Sequence, residues 1–409
     1  MGTYIRDLMN MSVGVKRFIL TESLLGIGVG IFSLVFNLHL LEMGFNEAEI
    51  GEINSIGILV MGFFSIPIGL LANKLGRKKL LVGGLLIMGI GYAGVGFGEA
   101  AYSFYLAQIV ISFGITLLIN SEIQLLFNYS RSKREETQAY SMLFSVFTFF
   151  TGVGTLIAGF IPKLFDQGTS TYQSSLIISA LLIIISASSR AILLPREELE
   201  DKTIKVNFSY RDLFKQFQNK SLWIFSFFTF IIGASFSILV PFFNIIVKFR
   251  MDWGDERLSL LLTVNGFFLF LGSFIMPYAL EKLGIHKLYL YSFVSNIIFS
   301  GILFMVLPIP LFIFTFLLRS GTFTMLNNLI ESQTMQAIDE ADRNLYAGLK
   351  TVLRSIGSSI SSYIAGIILA TQNYFLPFLI AGILLTFGLI YYLVMIKSIY
   401  EIKLKDNFL

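Results

Sequence analysis

Long apolar stretches alternate with short polar connections along almost the whole chain. Each stretch holds about 20 or more mostly apolar residues, which is the length that a helix needs to cross the hydrocarbon core of a membrane. The pattern therefore predicts twelve membrane-spanning helices. They are expected near residues 17–41, 51–72, 80–98, 102–127, 138–161, 174–194, 221–247, 257–280, 287–306, 310–335, 346–370 and 375–397.

One long polar segment interrupts this pattern. Residues 195–220 contain Pro195, a Glu-Glu-Leu-Glu-Asp run and several basic residues, and they lie between the sixth and seventh predicted helices. The chain is thus predicted to be an all-α polytopic membrane protein built from two six-helix bundles. The expected boundaries are 1–194 for the first bundle, 195–220 for a cytoplasmic linker and 221–409 for the second bundle.

Basic residues fall mostly on one side of the predicted helices. Most Lys and Arg residues lie in connections that this topology places on a single face, together with both termini. The opposite face has only Lys163, Lys248, Arg250 and Arg257, and its first connection is acidic instead. Because Lys and Arg are retained in cytoplasmic loops, we expect both termini in the cytoplasm and the chain in the cell membrane.

The two halves of the chain resemble each other. A Lys-Leu-Gly tripeptide precedes the third predicted helix at residues 74–76 and the ninth at residues 282–284. In each half, a glutamate of the fourth helix is followed twelve residues later by an arginine. These pairs are Glu122 with Arg134 and Glu331 with Arg343. Parallel repeats of this kind are typical of transporters whose halves are related by an axis along the membrane normal.

Composition supports a membrane protein and excludes several other classes. The chain is 55% hydrophobic and 14% charged, whereas soluble domains are about 25% charged. It has no cysteine, which excludes disulfides, thiolate metal sites and cysteine nucleophiles. Its two histidines, His39 and His286, lie far apart in sequence, so we expect no metal site. The net charge of +4 is spread over short loops, so we expect no nucleic-acid partner.

A short basic connection joins the second and third predicted helices. Residues 69–79 read Gly-Leu-Leu-Ala-Asn-Lys-Leu-Gly-Arg-Lys-Lys. This connection resembles the loop signature of the major facilitator superfamily, Gly-x-Leu-Ala-Asp-Arg-x-Gly-Arg-Lys. The matching residues are Gly69, Leu71, Ala72, Gly76, Arg77 and Lys78. The chain departs from the signature at Asn73, which stands where the superfamily has an acidic residue.

The resemblance implies a secondary transporter that works by alternating access of two bundles, similar to prokaryotic efflux-type members. It implies a small-molecule substrate and a chain embedded in a lipid bilayer, and we expect a monomer. No Gly-x-x-x-x-Gly-Lys-Ser/Thr motif is present, so we do not expect ATP-driven pumping by this chain alone. We expect no cofactor, a proton gradient as the energy source, and no catalytic residues, because the connections are too short to hold an enzyme site.

Glu22 is the candidate proton carrier. It lies about 6 Å into the first predicted helix, at 1.5 Å per residue. A charged group within a membrane helix is costly and usually faces a cavity or a partner. A partly buried carboxyl at this depth could bind and release a proton as access alternates. The alternative is an interfacial carboxyl that contacts water.

Four residues are candidate substrate contacts. Arg319 lies about 12 Å into the tenth predicted helix, near the middle of a core that is roughly 30 Å thick. A guanidinium at that depth needs a carboxylate, backbone dipoles or an anionic substrate group, so Arg319 is expected to line the cavity or to form a structural pair. Arg354 is similarly deep in the eleventh helix, or extends from there toward the cytoplasm. Asn37 and Asn327 are candidate amide contacts.

Residues near the predicted cytoplasmic side are candidates for gating. Glu122 and Glu331 occupy the inner ends of the fourth and tenth helices, where pairs with loop arginines would close the entrance. The full set of expected gating residues is Gly69, Asn73, Gly76, Arg77, Lys78, Glu122, Arg134, Glu331 and Arg343. Because Asn73 lacks the charge of the superfamily's acid, closure has to depend on other contacts.

The leading interpretation is proton-coupled export of small amphipathic or drug-like molecules. It depends on Glu22, on the resemblance to efflux members and on 42 phenylalanines, which suit an aromatic cavity. The first alternative is transport of an organic anion or polar metabolite, with Arg319 and Arg354 as anion contacts. A lysolipid translocator is a further alternative. The alternative from a different functional class is a non-transporting membrane receptor or a membrane-embedded transferase.

Overall fold

The computed structural model describes residues 11–165, 170–197, 219–339 and 342–406. Within these residues, twelve helices are long and apolar enough to cross a membrane. The first six are α1 Val13–Glu42, α2 Glu47–Leu75, α3 Arg77–Gly96, α4 Ala101–Asn128, α5 Lys133–Ala158 and α6 Gln173–Leu193. The second six are α7 Lys220–Met251, α8 Asp255–Leu283, α9 Ile285–Phe304, α10 Ile309–Ala337, α11 Arg343–Leu369 and α12 Leu376–Glu401. Most of the predicted linker, residues 198–218, lies outside the described residues.

Polar caps set where several of these helices begin. Ser12 Oγ accepts a hydrogen bond from the backbone N–H of Val15 at 3.2 Å, and Ser132 Oγ accepts one from Glu135 at 3.2 Å. Such caps satisfy backbone donors that have no partner within the helix. They place the starts of α1 and α5 at Val13 and Lys133, a few residues before the starts that apolar content predicts.

Two of the predicted helices are less regular than the apolar pattern indicates. The helix Lys220–Ser237 ends within α7, and a 3₁₀ turn at Val240–Phe242 precedes the helix Phe243–Met251. The turn contains Pro241, which has no backbone N–H to continue an α-helix. In α12, a π-helical turn at Tyr392–Ile396 follows Leu376–Tyr391. The apolar pattern alone carries no signal for either irregularity.

Helix packing repeats after six helices. In the first half, α1 packs against α5 and α6, and α3 packs against α4 and α6. In the second half, α7 packs against α11 and α12, and α9 packs against α10 and α12. The predicted all-α fold of two six-helix repeats is therefore confirmed in the part of the chain that the structure describes.

The repeated Lys-Leu-Gly tripeptide adopts the same turn in both halves. Gly76 and Gly284 have positive φ angles of 88° and 75°, and they directly precede α3 and α9. Residues with a Cβ rarely adopt this conformation, whereas glycine does so without steric cost. The glycine of each tripeptide thus permits the sharp reversal between two spans.

Glycines also allow the backbones of neighbouring helices to approach closely. A Cβ added to Gly26 of α1 would lie 2.9 Å from the carbonyl oxygen of Phe147 on α5. In the second half, a Cβ on Gly233 of α7 would lie 2.6 Å from the carbonyl oxygen of Arg354 on α11. Small residues serve this purpose at helix contacts within membranes. Equivalent helix pairs in the two halves therefore have the same close contact.

By internal contacts, the chain divides into two compact units that do not follow the chain order exactly. Glu47–Gly62 of α2 belongs to the second unit, and Val247–Phe267 of α7 and α8 belongs to the first. Within the second unit, the hydroxyl oxygens of Ser55 on α2 and Ser359 on α11 are 2.5 Å apart. The bundle boundaries at 1–194 and 221–409 stay a prediction.

Candidate functional site

Three charged side chains meet within the first unit. Arg190 of α6 donates hydrogen bonds to Glu22 of α1 and, at 3.2 Å, to Glu122 of α4. We call these three residues the acidic triad, because two carboxyl groups share one guanidinium group. The side chains of Arg190 and Glu22 are 0% and 2% exposed, whereas that of Glu122 is 17% exposed. Glu122 is therefore the member of the acidic triad that water reaches most easily.

Neighbouring side chains hold Arg190 in place. Its Nε donates to the hydroxyl of Thr21 at 3.3 Å, and its guanidinium carbon lies 4.8 Å from the centre of the Phe18 ring. Thr21 and Glu22 follow Phe18 by three and four residues, so both lie beside Phe18 on α1. On α6, Ser186 lies one turn before Arg190 and donates to the carbonyl of Thr21 at 3.4 Å. The sequence of both helices thus positions the acidic triad.

From the sequence, Glu22 could be either a partly buried proton carrier or an interfacial carboxyl that contacts water. Arg190 was not singled out. The structure places Glu22 in a buried ion pair. Arg190 is a charged residue inside an apolar span, which is the same signal that singled out Glu22. It was missed because it lies three residues before the helix end at Leu193, where a basic residue is ordinary.

A second group of charged side chains lies within the second unit. Glu331 of α10 accepts from Lys350 of α11 and, at 2.6 Å, from Arg354 of α11. We call Glu331, Lys350 and Arg354 the basic triad, because two cations share one carboxylate. Arg354 also donates to Asn327 Oδ1 at 2.8 Å. The structure therefore brings together two of the predicted substrate contacts, Asn327 and Arg354, with the predicted gating residue Glu331.

The other predicted substrate contacts lie elsewhere. Arg319 is 2% exposed, and its Nε donates to Ser300 of α9 at 3.0 Å. Its guanidinium carbon lies 5.6 Å from the centre of the Phe323 ring. Asn37 is 3% exposed within α1 of the first unit. Arg319 thus tethers α10 to α9 in the structure, and the geometry resembles the inter-helix contact weighed as the alternative to cavity lining.

The connection between α2 and α3 contacts α4. Arg77 donates to the carbonyl of Asn120 at 3.4 Å, and a Cβ on Gly69 would lie 3.4 Å from the side-chain oxygen of Asn120. Gly76 supplies the turn described above. The side chain of Asn73, where the chain departs from the superfamily signature, lies outside the described residues.

An acid that follows α6 contacts the start of α3. Glu197 accepts a hydrogen bond from the backbone N–H of Lys78 at 2.9 Å, where a helix N-terminus favours negative charge. Lys78 Nζ donates to the carbonyl of Leu194 at 2.6 Å. Of the remaining gating candidates, Arg134 lies in the first turn of α5, and Arg343 donates to the carbonyl of Ile338 at 3.3 Å.

A further polar network, unexpected from the sequence, forms where α6 and α8 begin. Lys248 donates to Asp255 at 2.6 Å and to the hydroxyl of Tyr172 at 2.6 Å, and this hydroxyl donates to Asp255 at 3.1 Å. Burial, together with the negative charge of Asp255, raises the pKa of the Tyr172 hydroxyl well above its usual value. Tyr172 therefore remains a hydrogen-bond donor at any physiological pH. Lys163 and Glu256 form an ion pair nearby in sequence.

The fold agrees with the family comparison. The family model of the Major Facilitator Superfamily matches residues 18–359. The chain belongs to the Major Facilitator Superfamily. This transporter superfamily was predicted from the loop at residues 69–79, and the prediction is confirmed. Like other members, the chain is a multi-pass membrane protein. Within its described residues, no group of three or more His, Asp or Glu residues could hold a metal ion.

Solved structures of other superfamily members resemble the chain throughout. The crystal structure of the nucleoside transporter NupG is 16% identical, with a TM-score of 0.77 over 94% of this chain and 99% of that chain. A bacterial homologue of the human lysosomal transporter Spinster, in an inward-facing and occupied conformation, is 11% identical, with a TM-score of 0.72. That alignment covers 93% of this chain and 95% of the other. These likenesses concern the fold. The sequence has no significant match among curated proteins.

Proposed function

We propose that this superfamily member is a proton-coupled secondary transporter that exports small amphipathic or drug-like molecules. The observation that carries the proton coupling is the acidic triad, in which Glu22 and Glu122 share the single cation Arg190. A buried group with one surplus carboxyl stabilises a bound proton, since burial of a net charge is costly. The proton gradient supplies the energy, and no cofactor is needed.

The proposal includes an arrangement in the membrane. The chain acts as a monomer in the cell membrane, with both termini in the cytoplasm, as the distribution of Lys and Arg favours. Transport proceeds by alternating access of the two bundles, 1–194 and 221–409. The proposed gate on the cytoplasmic side uses the connection between α2 and α3, together with Glu122, Arg134, Glu331 and Arg343.

The second candidate function is transport of an organic anion, a polar metabolite or a lysolipid. It is favoured by the basic triad, because Lys350 and Arg354 provide two cations to the single carboxylate of Glu331. These side chains are 14% to 33% exposed, so a ligand can reach them. In this candidate function, Arg354 and Asn327 contact the anionic group. Arg319 is a second anion contact, and Asn37 contributes an amide.

Proton movement in proteoliposomes separates the two candidates. A pH-sensitive dye inside the vesicles would report flux after addition of lipophilic cations, organic acids, sugar phosphates, nucleosides or lysolipids. Export of amphipathic molecules predicts flux with the lipophilic cations that is lost in Glu22→Gln. The second candidate predicts flux only with the anionic or polar compounds, lost in Arg354→Ala or Arg319→Ala.

The matched control for Glu22→Gln is Glu136→Gln. Glu136 pairs with Lys133 in the first turn of α5 and belongs to neither triad. It should leave the flux unchanged. Substrate uptake with no accompanying proton movement, at any imposed gradient, would contradict the proposed coupling. Flux that survives Glu22→Gln, Arg354→Ala and Arg319→Ala would contradict the proposed site residues.

A further inference from the structure

The two carboxyl groups of the acidic triad differ in their access to water. Glu122 is 17% exposed, whereas Glu22 is 2% exposed. Both carboxyl groups contact the same guanidinium group, that of Arg190, which brings them close together. With both carboxyl groups ionised, the triad would carry one net negative charge, and burial of an unpaired charge is costly, so we expect one carboxyl to hold a proton. The triad is then electrically neutral, with one proton and one guanidinium for two carboxyl groups.

We infer that Glu122 exchanges the coupling proton with water and passes it to Glu22, and that Arg190 is the positioning residue for both. In the transfer, an O–H bond of Glu122 breaks and an O–H bond of Glu22 forms. Glu122 becomes the carboxylate and the total charge of the triad stays the same. The inference rests on the proposed proton coupling and assigns its two steps to different side chains.

The geometry of Arg190 suits a transfer between two acceptors. Its two terminal nitrogens contact different carboxyl groups, with Nη2 on Glu22 and Nη1 on Glu122. Hydrogen bonds between ionised partners are about twice as strong as neutral ones. Arg190 therefore strengthens its bond to whichever carboxyl is ionised, and it compensates the charge without leaving its place.

Several polar side chains on the neighbouring helices have partners outside the triad. On α6, Ser186 donates a hydrogen bond to the backbone carbonyl of Thr21 on α1. On α5, Gly26 of α1 meets Phe150 and Thr151, which do not titrate in this range. Glu135 of α5 accepts hydrogen bonds from the backbone N–H groups of Ser12 and Arg131 instead. On α1 itself, Arg17 donates to the carbonyl of Leu193.

Infrared spectroscopy tests this inference without any substrate. The full chain in lipid nanodiscs would be titrated, and the carbonyl stretch of protonated carboxyl groups would be followed, including its shift after transfer to D₂O. Glu122→Gln leaves one carboxyl for one guanidinium, so the band of protonated Glu22 should appear only at lower pH than in the wild type. At a pH where the band is present, its deuterium exchange should be slower by about 10²-fold, the effect of losing a positioned proton donor. Glu22→Gln also leaves one carboxyl for one guanidinium, and the band that Glu122 gives in acid should exchange as fast as the wild-type band.

Several results would overturn the inference. Fast exchange of Glu22 in Glu122→Gln would show that water reaches Glu22 directly. The absence of any protonated carboxyl band that depends on Glu22 or Glu122 would exclude a shared proton. If Glu122→Gln fails to fold, Glu122→Asp provides the second variant, because it keeps an acid at the water-facing position and should exchange at a rate close to that of the wild type.

Arg190→Lys tests the positioning role. A lysine ammonium keeps the charge but lacks the planar fork of a guanidinium. The two carboxyl groups should then titrate as separate bands, whereas a purely structural role for Arg190 predicts the wild-type band. Glu136→Gln is the control and should leave the band unchanged. If the triad titrates in nanodiscs but no substrate moves protons in vesicles, the proposed function is contradicted while the inference about the triad still stands.

Discussion

The acidic triad and the basic triad use the same position of the repeat in opposite ways. Glu122 lies six residues before the end of α4 at Asn128, and Glu331 lies six residues before the end of α10 at Ala337. Glu122 shares its one cation, Arg190, with a second acid. Glu331 binds two cations, Lys350 and Arg354. With all groups ionised, the first triad carries one net negative charge and the second one net positive charge.

The two triads also differ in how much water reaches them. Arg190 is completely buried, whereas Arg354 and Glu331 are 25% and 33% exposed. A buried ion pair lacks solvent as an alternative partner, so loss of one member is costly. When one member of a partly exposed pair is removed, water takes its place as a partner, and the loss of stability is small. The comparison indicates that a repeated fold can keep an acid at one position and change its role through burial and partner number.

Removal of the buried cation of the acidic triad, Arg190, should have the largest effect on the stability of the protein. Arg190→Met leaves two carboxyl groups without a cation, and we expect a loss of about 3–5 kcal/mol of stability. The measurement is the apparent unfolding temperature in detergent, followed by the fluorescence of Trp223 and Trp253. Arg17→Met is the matched control, because Arg17 is an exposed arginine near the same end of α6, and it should change little.

A second variant separates lost charge compensation from lost packing. Combining Arg190→Met with Glu22→Gln and Glu122→Gln removes every charge of the acidic triad. Replacement of a whole buried ion pair is often neutral, so this triple variant should unfold at a higher temperature than Arg190→Met alone. An unfolding temperature as low as that of Arg190→Met would indicate that packing, rather than charge, accounts for the effect.

Removal of the shared anion in the basic triad should have a smaller effect. Glu331→Gln leaves Lys350 and Arg354 without their carboxylate, but both cations have some access to water. We expect a loss of about 1 kcal/mol. Arg354→Met should cost less than Glu331→Gln, because Lys350 still pairs with Glu331. A loss as large as that of Arg190→Met would remove the proposed difference between the two triads.

Added salt should have the smallest effect on stability, and it should act on the basic triad only. At 1 M salt the Debye length is about 3 Å, so partly exposed charges are strongly screened. The difference in unfolding temperature between the wild type and Glu331→Gln should therefore narrow as salt is raised. The difference between the wild type and Arg190→Met should stay constant. Equal narrowing for both variants would show that the acidic triad is accessible to ions.

The sequence was sufficient for the fold but only for part of the candidate site. Twelve spans, the repeat and the superfamily follow from apolar length and the loop at residues 69–79, because these are local signals. Glu22 and Glu331 were also found, since a carboxyl in an apolar span is unusual. The partner of Glu22 was not found, because Arg190 is 168 residues away and only packing of α1 against α6 brings them together.

Orientation around a helix was the second quantity that the sequence did not supply. Arg319 was expected either to line a cavity or to form a structural pair, and the sequence did not decide between these alternatives. In the structure its Nε donates to Ser300 on α9. An apolar helix in a membrane has no polar face that marks the direction of the interior. The depth of Arg319 could be estimated by counting residues, but its direction depends on which helices pack around α10.

The close contacts at Gly26 and Gly233 have a consequence for how such chains vary over evolution. Any side chain at either glycine would push a whole helix away from its neighbour, since the Cβ would meet backbone atoms that cannot rotate aside. A charged residue of a triad, in contrast, can be exchanged together with its partner. A comprehensive substitution scan that measures the amount of folded protein should therefore find these two positions among the least replaceable in the chain. Coordinated replacement of a charged pair should preserve folding even where it abolishes proton coupling.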